Sequence, residues 1–479
     1  MKISPSQSIP IILCLAVLLN ACGGAPTARP EEQTPTGTPE RTPLVQPTAS
    51  VEATTAPQPT SAFSETGTSL AGLRVHLWHP WTGATAAEMQ RLETDFNGTN
   101  PWGIWVEVSG YPGVDAIDTA MDAQWEKDDP PEVVIATTAQ ALVWDSAHSS
   151  LVDLAPYIAD AEWGMPAADQ ADFLAVFWDA QVDGPRRVGI PALGTAQVLF
   201  YNQTWASELG FDSPPTTPDE LQKQACAAAF ANQNDNDLEN DGTGGWLIDS
   251  SPANIASWLL AYNAPLTPAD GQGYRFANAE SEAAFGYVKG AYDKGCFWVG
   301  RQPDPFTYLA RRNALLVAGS LNAGDELTRA LTGEKSQDAW TVLPFPGNSA
   351  DPRLLATSTS YHVFSGSPEE QLAAWLVVRW MSQADVQVRL ARHGWDYPTR
   401  TTAMNAMLDQ AGVPDPWKQG AGLLSGAVAE PADAHWSMAR RVLQDAFRQL
   451  FQADTKPNQI PEILQNVDLL LADLEGPQP

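Results

Sequence analysis

Apolar residues follow two different spacings along residues 70–479. Short runs rich in β-branched and aromatic side chains alternate with longer segments in which apolar positions recur every three or four residues. The first spacing is typical of buried strands and the second of amphipathic helices. Strands that alternate with helices in this way indicate an α/β fold with largely parallel sheets. The predicted strands lie at 74–78, 104–108, 132–136, 198–201, 315–317, 340–343 and 361–364.

Three helices carry a capping-box sequence at their predicted start. A Glu follows three residues after Thr85, Thr217 and Ser367, and a proline follows directly after the last two. A reciprocal cap and a proline at the first helical position both favour helix initiation. The helix that begins after Ser367 is predicted to continue to Gly394.

The first residues have the organisation of an export signal. Lys2 precedes an apolar run at 9–19, which is too short to span a bilayer as a helix but suits the core of a signal peptide. Ala21 and Cys22 follow, and this junction resembles the lipobox of bacterial lipoproteins. The resemblance implies a signal peptide at 1–21, a diacylated Cys22, and a protein anchored to the outer face of the cell membrane. The alternative is an ordinary secretory signal in which Cys22 has no role.

Residues 22–69 are predicted to be a disordered tether. Proline recurs throughout, interleaved with Thr, Ala, Gln and Glu, and large aliphatic residues are almost absent. Such a segment cannot bury enough apolar surface to offset the entropy of ordering, and its prolines keep it extended. The tether therefore predicts a folded body that works at some distance from the membrane.

The charge and length of the chain narrow the choice of partners and architecture. The chain has 27 Lys and Arg against 57 Asp and Glu, which gives a formal net charge of -30. This charge argues against nucleic acid and anionic lipid headgroups as partners. The body at 70–479 is longer than one typical domain, so two lobes are expected.

The cysteines predict one disulfide. Cys14 lies in the predicted signal peptide and Cys22 carries the predicted lipid, which leaves Cys226 and Cys296. An even pair in an oxidising compartment favours a disulfide. Two buried free thiols are the alternative.

An acidic loop at 234–242 has the first half of a calcium-binding pattern. Asp237, Glu239 and Asp241 alternate along the loop, and Gly242 follows. The bidentate Glu expected at position 12 of such a loop is replaced by Ile248. The loop is a candidate for calcium, and a hydrated acidic turn is the alternative. No other cofactor is predicted.

The motifs of common enzyme classes are missing. No histidine sits in an H-E-x-x-H motif, and neither a G-x-S-x-G turn nor a G-x-x-x-x-G-K-[ST] loop occurs. The sequence therefore predicts a protein that is not an enzyme. The many acidic residues leave open a glycosidase-type pair of carboxylates.

Tryptophan is unusually abundant, with 18 residues in the chain. Trp375 and Trp380 follow a helical spacing and are predicted to lie in the core. Other tryptophans stand where a strand ends or a loop begins, where flat aromatic faces can pack against the C–H faces of sugar rings. These are Trp78, Trp81, Trp144, Trp246, Trp258 and Trp395.

A series of short motifs between 70 and 405 occurs in a characteristic order. It comprises Gly-Ile-Pro-Ala-Leu-Gly at 189–194, Val-Leu-Phe-Tyr-Asn at 198–202, Glu-Leu-Gly at 208–210 and Pro-Pro-Thr at 214–216, with further segments at 73–83, 131–134, 340–346, 358–364 and 394–400. The order resembles the family 1 extracellular solute-binding proteins of ABC importers, which include the maltodextrin and glycerol-3-phosphate binding proteins. Two departures are Glu132 in place of the usual Asp and the absence of the family's usual Gly at 311–316.

The resemblance implies a periplasmic-binding-protein fold of type II, in which two α/β lobes are joined by hinge crossovers. Closure of the lobes would bury a ligand and present the protein, as a monomer, to the transmembrane subunits of an ABC permease. The implied crossovers lie at 190–197, 312–318 and 357–363, the N-terminal lobe comprises 70–189 and 318–357, and the C-terminal lobe comprises 190–312 and 364–479.

The resemblance also implies a set of ligand contacts by position. Trp and Tyr rings would stack on the ligand, and His79, Asp145 and Arg400 would bind its hydroxyls. For Tyr201 and Tyr361, hinge packing is the alternative. The implied contacts are Trp78, His79, Trp81, Thr82, Trp144, Asp145, Tyr201, Trp246, Trp258, Ser320, Ser358, Ser360, Tyr361, Trp395, Tyr397 and Arg400.

The ligand favoured by this set is a carbohydrate, either a sugar or an oligosaccharide. A polyol or glycerol phosphodiester ranks lower, because Arg400 is the only obvious cation for a phosphate. Two rival hypotheses are a stalked, secreted glycoside hydrolase and a ligand sensor that serves a membrane receptor.

Overall fold

The computed structural model describes residues 69–127, 129–267, 273–300, 304–349 and 351–475. The predicted signal peptide, Cys22 and all but the last residue of the predicted tether lie outside these ranges. Within the ranges, no helix combines the length and the apolar composition needed to cross a bilayer.

The strands and helices alternate along the chain, as the sequence predicts. The strands are β1 (Arg74–His79), β2 (Trp105–Gly110), β3 (Val133–Ala136), β4 (Val182–Asp183), β5 (Arg186–Arg187), β6 (Ile190–Asn202), β7 (Gly244–Ile248), β8 (Phe297–Val299), β9 (Ala314–Ser320), β10 (Trp340–Leu343), β11 (Leu354–Val363), β12 (Tyr397–Pro398) and β13 (Ala427–Ala429). The α-helices are α1 (Gly83–Thr99), α2 (Val114–Trp125), α3 (Thr138–His148), α4 (Ala155–Ala159), α5 (Ala167–Ala171), α6 (Ala175–Trp178), α7 (Gln203–Glu208), α8 (Pro218–Gln233), α9 (Pro252–Ala261), α10 (Ala279–Asp293), α11 (Pro305–Ala310), α12 (Gly324–Gly333), α13 (Pro368–Met381), α14 (Ala384–Ala391), α15 (Thr401–Leu408), α16 (Asp415–Leu423), α17 (Trp436–Gln449) and α18 (Ile460–Glu475).

One large mixed sheet connects two groups of strands through β6. The strand order is β2-β1-β3-β11-β6-β9-β7-β8, with β10 also paired to β6. Ile190 to Ala196 of β6 pair with β11, whereas Gln197 to Tyr201 pair with β9. We call β2, β1, β3 and β11 the first strand group, and β9, β7, β8 and β10 the second. Because β6 belongs to both groups, it is the strand about which one group can rotate against the other.

The packing of several elements differs from the lobe limits expected from the sequence. Those limits put 364–479 in the C-terminal lobe, but α13 and α14 pack on the first strand group. Trp380 contacts Phe96 of α1, with ring centroids 5.4 Å apart, and Arg389 forms ion pairs with Glu88 and Asp95 of the same helix. The limits also put 318–357 in the N-terminal lobe, whereas β10 pairs with the second half of β6. β10 therefore belongs with the second strand group, and the crossover at 312–318 stays a prediction.

Helix starts follow the local sequence signals closely. The capping boxes at Thr217 and Ser367 are both formed. Helix α1 begins at Gly83, two residues before the predicted Thr85, and its N-cap makes no side-chain bond. The predicted single helix from 367 to 394 is two helices, because the chain breaks at Ser382, whose side chain bonds back to the Arg379 carbonyl at 3.0 Å.

The predicted disulfide is present in the second strand group. Cys226 of α8 is bonded to Cys296, which directly precedes β8, and the two Cα atoms are 4.3 Å apart. The bond joins positions separated by 70 residues in the sequence. It therefore ties α8 to the outer edge of the sheet.

Candidate ligand-binding cleft

The parallel strands of the first group end at one edge of the sheet. There β1 ends at His79, β2 at Gly110 and β3 at Ala136. In open α/β folds, ligands bind outside the carboxyl ends of the strands. The segments that follow these strand ends are therefore candidates for a ligand-binding site.

A cleft opens next to the end of β3, between α6, β11 and the segment that follows β13. Its floor is apolar and includes Val176, Phe177 and Pro431. Its walls carry hydroxyl, amide and carboxylate groups, which are the groups that bind sugar hydroxyls. These polar lining residues, which we call the cleft residues, are Thr137, Thr138, Gln181, Thr357, Ser358 and Glu430.

Gln181 links three sides of the cleft. Its Oε1 accepts a hydrogen bond from Thr138 Oγ1, and its Nε2 donates to the Phe177 carbonyl at 3.0 Å and to Ser358 Oγ at 3.2 Å. Gln181 is only 1% exposed. A buried amide with this many partners fixes the orientation of the hydroxyls around it.

Glu430 lines the cleft directly after β13, where its backbone N–H donates to the Ala356 carbonyl of β11 at 2.9 Å. Its Oε1 accepts a hydrogen bond from Trp436 Nε1 at 2.7 Å and lies 3.7 Å from Arg440 Nη1. Burial raises the pKa of the Glu430 carboxyl, and the bond from Trp436 opposes that shift. No described residue donates to Oε2, which leaves this oxygen as an acceptor for a ligand hydroxyl.

The cleft floor packs directly against β6, the strand that the two groups share. The Phe177 ring lies so close to Gly194 of β6 that a Cβ there would overlap it. A movement of β6 is therefore transmitted to α6 and to the cleft floor.

The space between the cleft residues has a volume of about 30 Å³, enough for one water molecule. Pockets for small-molecule ligands usually measure about 300 to 1,000 Å³. The cleft is thus closed in this structure.

Four of the residues implied by the sequence lie in or beside this region. Ser358 lines the cleft itself. The same edge of the sheet holds His79, the last residue of β1, and Trp81 and Thr82, which follow it. His79 Nδ1 accepts the Trp81 N–H at 3.3 Å, and the two rings are stacked with centroids 5.7 Å apart. Burial lowers the pKa of His79 to about 4, so the ring is neutral at pH 7 and positions the half-buried Trp81.

Trp395 packs against α12 and does not line the cleft. Its Nε1 donates to Asp325 of α12 at 2.7 Å, its ring lies against Gly324, and it is 7% exposed. The neighbouring Asp396 accepts a hydrogen bond from Asn322 Nδ2 at 3.0 Å.

Most other implied aromatic contacts are in the interior. Trp246 and Trp258 are both 0% exposed and pack edge to face, with centroids 5.4 Å apart. The Tyr201 hydroxyl donates to Gln224 at 2.6 Å. We leave these buried residues out of the candidate site, and ligand contact by them stays a prediction. They are Trp78, Trp144, Tyr201, Trp246, Trp258, Ser360, Tyr361 and Tyr397.

The polar residues implied to bind hydroxyls already have protein partners. Asp145 accepts hydrogen bonds from the Leu151 N–H and from Arg186, both at 2.8 Å. Arg400 is 4% exposed and its Nε donates to the Ser382 carbonyl at 2.7 Å. Ser320 Oγ lies 2.7 Å from Thr195 Oγ1 of β6. The structure therefore places these side chains in internal hydrogen bonds.

The model of bacterial extracellular solute-binding proteins matches residues 92–422, well over half of the chain. The chain belongs to this family. The members of this family are extracellular solute-binding proteins of bacteria.

Solved structures show the same fold. The cyclic α-maltosyl-1,6-maltose binding protein of Arthrobacter globiformis is 17% identical, with 83% of this chain and 99% of that chain covered and a TM-score of 0.69. The GacH receptor of Streptomyces glaucescens, solved alone and with acarbose, is 16% identical over 83% and 98% of the two chains, with a TM-score of 0.67. The sugar-binding protein MalE of Xanthomonas citri is 19% identical over 84% and 98%, with a TM-score of 0.68. The fold is thus the type II periplasmic-binding-protein fold. No curated protein matches the sequence significantly.

The acidic loop of this solute-binding protein is folded on itself. Asp237 Oδ1 accepts the Glu239 N–H at 3.1 Å, and Asp235 Oδ2 accepts from Asn240 Nδ2 at 2.9 Å. In the part of the chain that the structure describes, no three His, Cys, Asp or Glu side chains converge to hold a metal ion. Calcium binding at Asp237, Glu239 and Asp241 stays a prediction.

Sequence reasoning missed Thr137, Thr138, Gln181, Thr357 and Glu430 in the candidate cleft. Thr137 and Thr138 directly follow a predicted strand, and this position is a signal that could have found them. Gln181 and Glu430 lie in irregular segments far apart in the sequence. No local pattern marks them, because only the packing of β11 and β13 brings them together.

Asp396 should make the stability of this protein depend on pH. Burial first, and then the neighbouring Asp325, raise its pKa from 3.8 to about 6, so the folded state binds this proton more tightly than the unfolded state. The contribution of protonated Asp396 to the free energy of unfolding is complete below about pH 4 and is lost as the pH rises to about 6. Asp396→Asn should therefore raise the free energy of unfolding, relative to the wild type, more at pH 7 than at pH 4. Urea unfolding at both pH values measures this, with Asp409→Asn as an exposed control. An equal effect of Asp396→Asn at the two pH values would contradict the prediction.

Proposed function

We propose that this protein is the extracytoplasmic substrate-binding component of an ABC importer and that it captures a sugar or oligosaccharide in the cleft. The observation that carries the proposal is the make-up of the cleft, in which oriented hydroxyls, a buried amide and the Glu430 carboxylate face an apolar floor. This combination suits a neutral ligand with many hydroxyls and C–H faces. The solved structures of similar fold come from proteins that bind maltose-type sugars or acarbose, which supports the same ligand class.

Ligand capture follows from opening and closing about β6. In the open form the hydroxyls of Thr138 and Ser358 and the free oxygen of Glu430 would be exposed to a ligand. A sugar that bonds these groups and also contacts the second strand group would stabilise the closed form, because only that form makes all the contacts. Trp81, at the same edge, would add an aromatic face. A permease that docks on the closed form would then receive only loaded protein.

The proposal also includes a membrane anchor and a tether, which are based on the sequence of the first 69 residues. A lipid on Cys22 would keep the protein at the outer face of the membrane, and the Pro-rich tether would let the body reach the permease. Mass spectrometry of the N-terminal peptide from the purified protein tests this. A mass with a diacylglyceryl group on Cys22 supports the anchor, and an unmodified Cys22 contradicts it.

Binding of a carbohydrate should stabilise the protein against heat. A ligand present at 100 times its Kd stabilises the native state by about 2.7 kcal/mol, which raises the Tm measurably. A thermal-shift panel of mono- and oligosaccharides should contain at least one member with this effect. If no sugar in a broad panel shifts the Tm, the carbohydrate proposal fails.

Substitutions in the cleft should weaken the binding of the sugar that stabilises the protein, and substitutions elsewhere should not. Glu430→Gln and Trp81→Ala are expected to raise its Kd by about 10- to 100-fold, because each removes one polar or stacking contact. Trp105→Ala is the matched control, since Trp105 is 49% exposed at the amino end of β2, on the opposite edge of the sheet. Calorimetric titration measures the Kd values, and equal losses in Trp81→Ala and Trp105→Ala would exclude a contact by Trp81.

A further inference from the structure

A second concave surface lies at the outer edge of the sheet, remote from the cleft. It has a volume of about 1430 Å³ and is bounded by α8, the acidic loop at 234–242 and β8. We call this surface the edge groove. The lining residues that matter for its chemistry are Phe230, Glu239, Asp241, Phe297, Trp298 and Val299.

The strand in the edge groove has an open side. Among the residues that the structure describes, β8 is the last strand of the sheet and pairs only with β7. The Cys296 carbonyl accepts the Trp246 N–H at 3.2 Å, so Cys296 and Trp298 direct their backbone groups towards β7. Because these directions alternate along a strand, Phe297 and Val299 direct their N–H and C=O groups to the open side. An unpaired edge of this kind is a template for another strand.

Large apolar side chains border the same open strand. Phe230 is 69% exposed and Val299 is 47% exposed, and Leu238 of the adjoining loop is 80% exposed. Clustered exposed apolar side chains on a soluble surface are typical of an interaction site. They would pack against alternate side chains of an added strand.

The edge groove also has more carboxylates than cations, since five Asp and Glu side chains line it against Lys294 and Arg311. Asp293 is paired with Lys289, and Glu334 is paired with Arg311. In contrast, no Lys, Arg or His of the described chain lies within ion-pair distance of Glu239 or Asp241. Two unneutralised carboxylates beside an apolar rim favour a ligand that carries cations as well as apolar groups.

We propose that the edge groove binds an extended segment of a partner protein in which Lys or Arg alternates with apolar residues, and that this segment adds to β8 as a further strand. Backbone hydrogen bonds to Phe297 and Val299 would hold it, the apolar side chains would cover Phe230, and the cations would face Glu239 and Asp241. A neutral sugar uses neither the open strand edge nor the carboxylate excess. The proposal is separate from carbohydrate capture in the cleft.

The test uses the full-length protein in detergent and a fluorescent, end-capped peptide of alternating Lys and Val. Fluorescence anisotropy should show saturable binding that weakens with added salt. Glu239→Gln/Asp241→Asn should raise the Kd at least tenfold. The control Asp122→Asn/Glu126→Gln removes the same charge from exposed positions of the α2 region and should leave the Kd unchanged.

Two further measurements separate strand addition from simple charge attraction. A peptide with N-methyl groups on alternate residues cannot pair with an edge, so it should lose binding. Phe230→Ser, at an exposed site that does not endanger folding, should also weaken binding at least fivefold. Equal binding of the methylated peptide, equal binding by the two charge variants, or displacement of the peptide by an oligosaccharide would each overturn the proposal. Sugar affinity of the cleft, measured on the same variants, should not change, and its outcome tests the importer proposal independently.

Discussion

Replacement of Arg400 by Met should lower the free energy of unfolding by about 3 to 5 kcal/mol. Arg400 is 4% exposed, donates to the Ser382 carbonyl at 2.7 Å and lies 3.4 Å from an oxygen of Asp172. Its guanidinium also lies over the Phe173 ring, 4.5 Å from the centroid. The loss of the cation leaves the Ser382 carbonyl without its donor and the largely buried Asp172 carboxylate without its cation, although Thr402 still donates to Asp172 at 2.9 Å and 2.6 Å. Breaking one side of an internal ion pair in this way is costly.

Urea unfolding of Arg400→Met measures this loss, and Arg392→Met is the matched control because Arg392 is exposed at the end of α14. The experiment also separates the two roles considered for Arg400. Sugar affinity of the folded variant should equal that of the wild type. A variant with unchanged stability and lost sugar affinity would show that Arg400 binds ligand, as the sequence implied.

Removal of the disulfide should lower the free energy of unfolding by about 4 kcal/mol. The bond between Cys226 and Cys296 closes a loop with a sequence separation of 70, and the loss of chain entropy in the unfolded state grows with the length of such a loop. The double variant Cys226→Ser/Cys296→Ser removes the bond without leaving a free thiol. Denaturant unfolding of this variant and of the wild type gives the difference.

A thiol assay on denatured, unreduced protein is the control for that experiment. Cys22 must not be counted with the body cysteines, so the assay is read on the peptides that contain Cys226 and Cys296. Both should be unreactive until a reductant is added. Two reactive thiols before reduction would contradict the disulfide, and unchanged stability in the double variant would contradict its stabilising effect.

The strands could be predicted because their sequence carries the signal locally. Runs such as 132–136 and 340–343 are apolar enough to be buried on both faces of a sheet, and the structure has strands at both places. The capping boxes at Thr217 and Ser367 formed for the same reason, since a cap involves residues only three positions apart. The capping-box sequence at Thr85 lies inside α1. Its Glu88 accepts hydrogen bonds from Arg91 and Arg389 instead of capping the helix start.

The partition of elements between the two strand groups could not be predicted. A helix such as α13 shows an apolar face in its sequence, but not the sheet on which that face will pack. Trp375 donates to the Trp163 carbonyl at 2.8 Å, a contact that only the tertiary structure creates. The same limitation explains why 318–357 was expected in the N-terminal lobe.

The tryptophans illustrate why a site is harder to predict than a fold. Trp81 and Trp246 both follow polar or glycine-rich segments, yet Trp81 is half-buried just beyond the end of β1 and Trp246 is 0% exposed. Large aromatic residues gain free energy from burial wherever the fold encloses them, so residue type alone does not separate core from binding surface. The order of motifs along the chain was the stronger signal, and the family match over 92–422 confirmed it.

The sequence by itself determined the alternation of strands and helices, the pairing of the two body cysteines and membership of an extracellular solute-binding family. These features depend on local periodicity, on residue counts and on the order of short motifs. Only the tertiary structure decided which polar groups form the cleft. Thr138, Gln181, Ser358 and Glu430 are brought together by β11, which pairs with both β3 and β13, and by the hydrogen bonds of Gln181. Contacts between residues so distant in sequence leave no local pattern, so their chemistry becomes visible only in the folded chain.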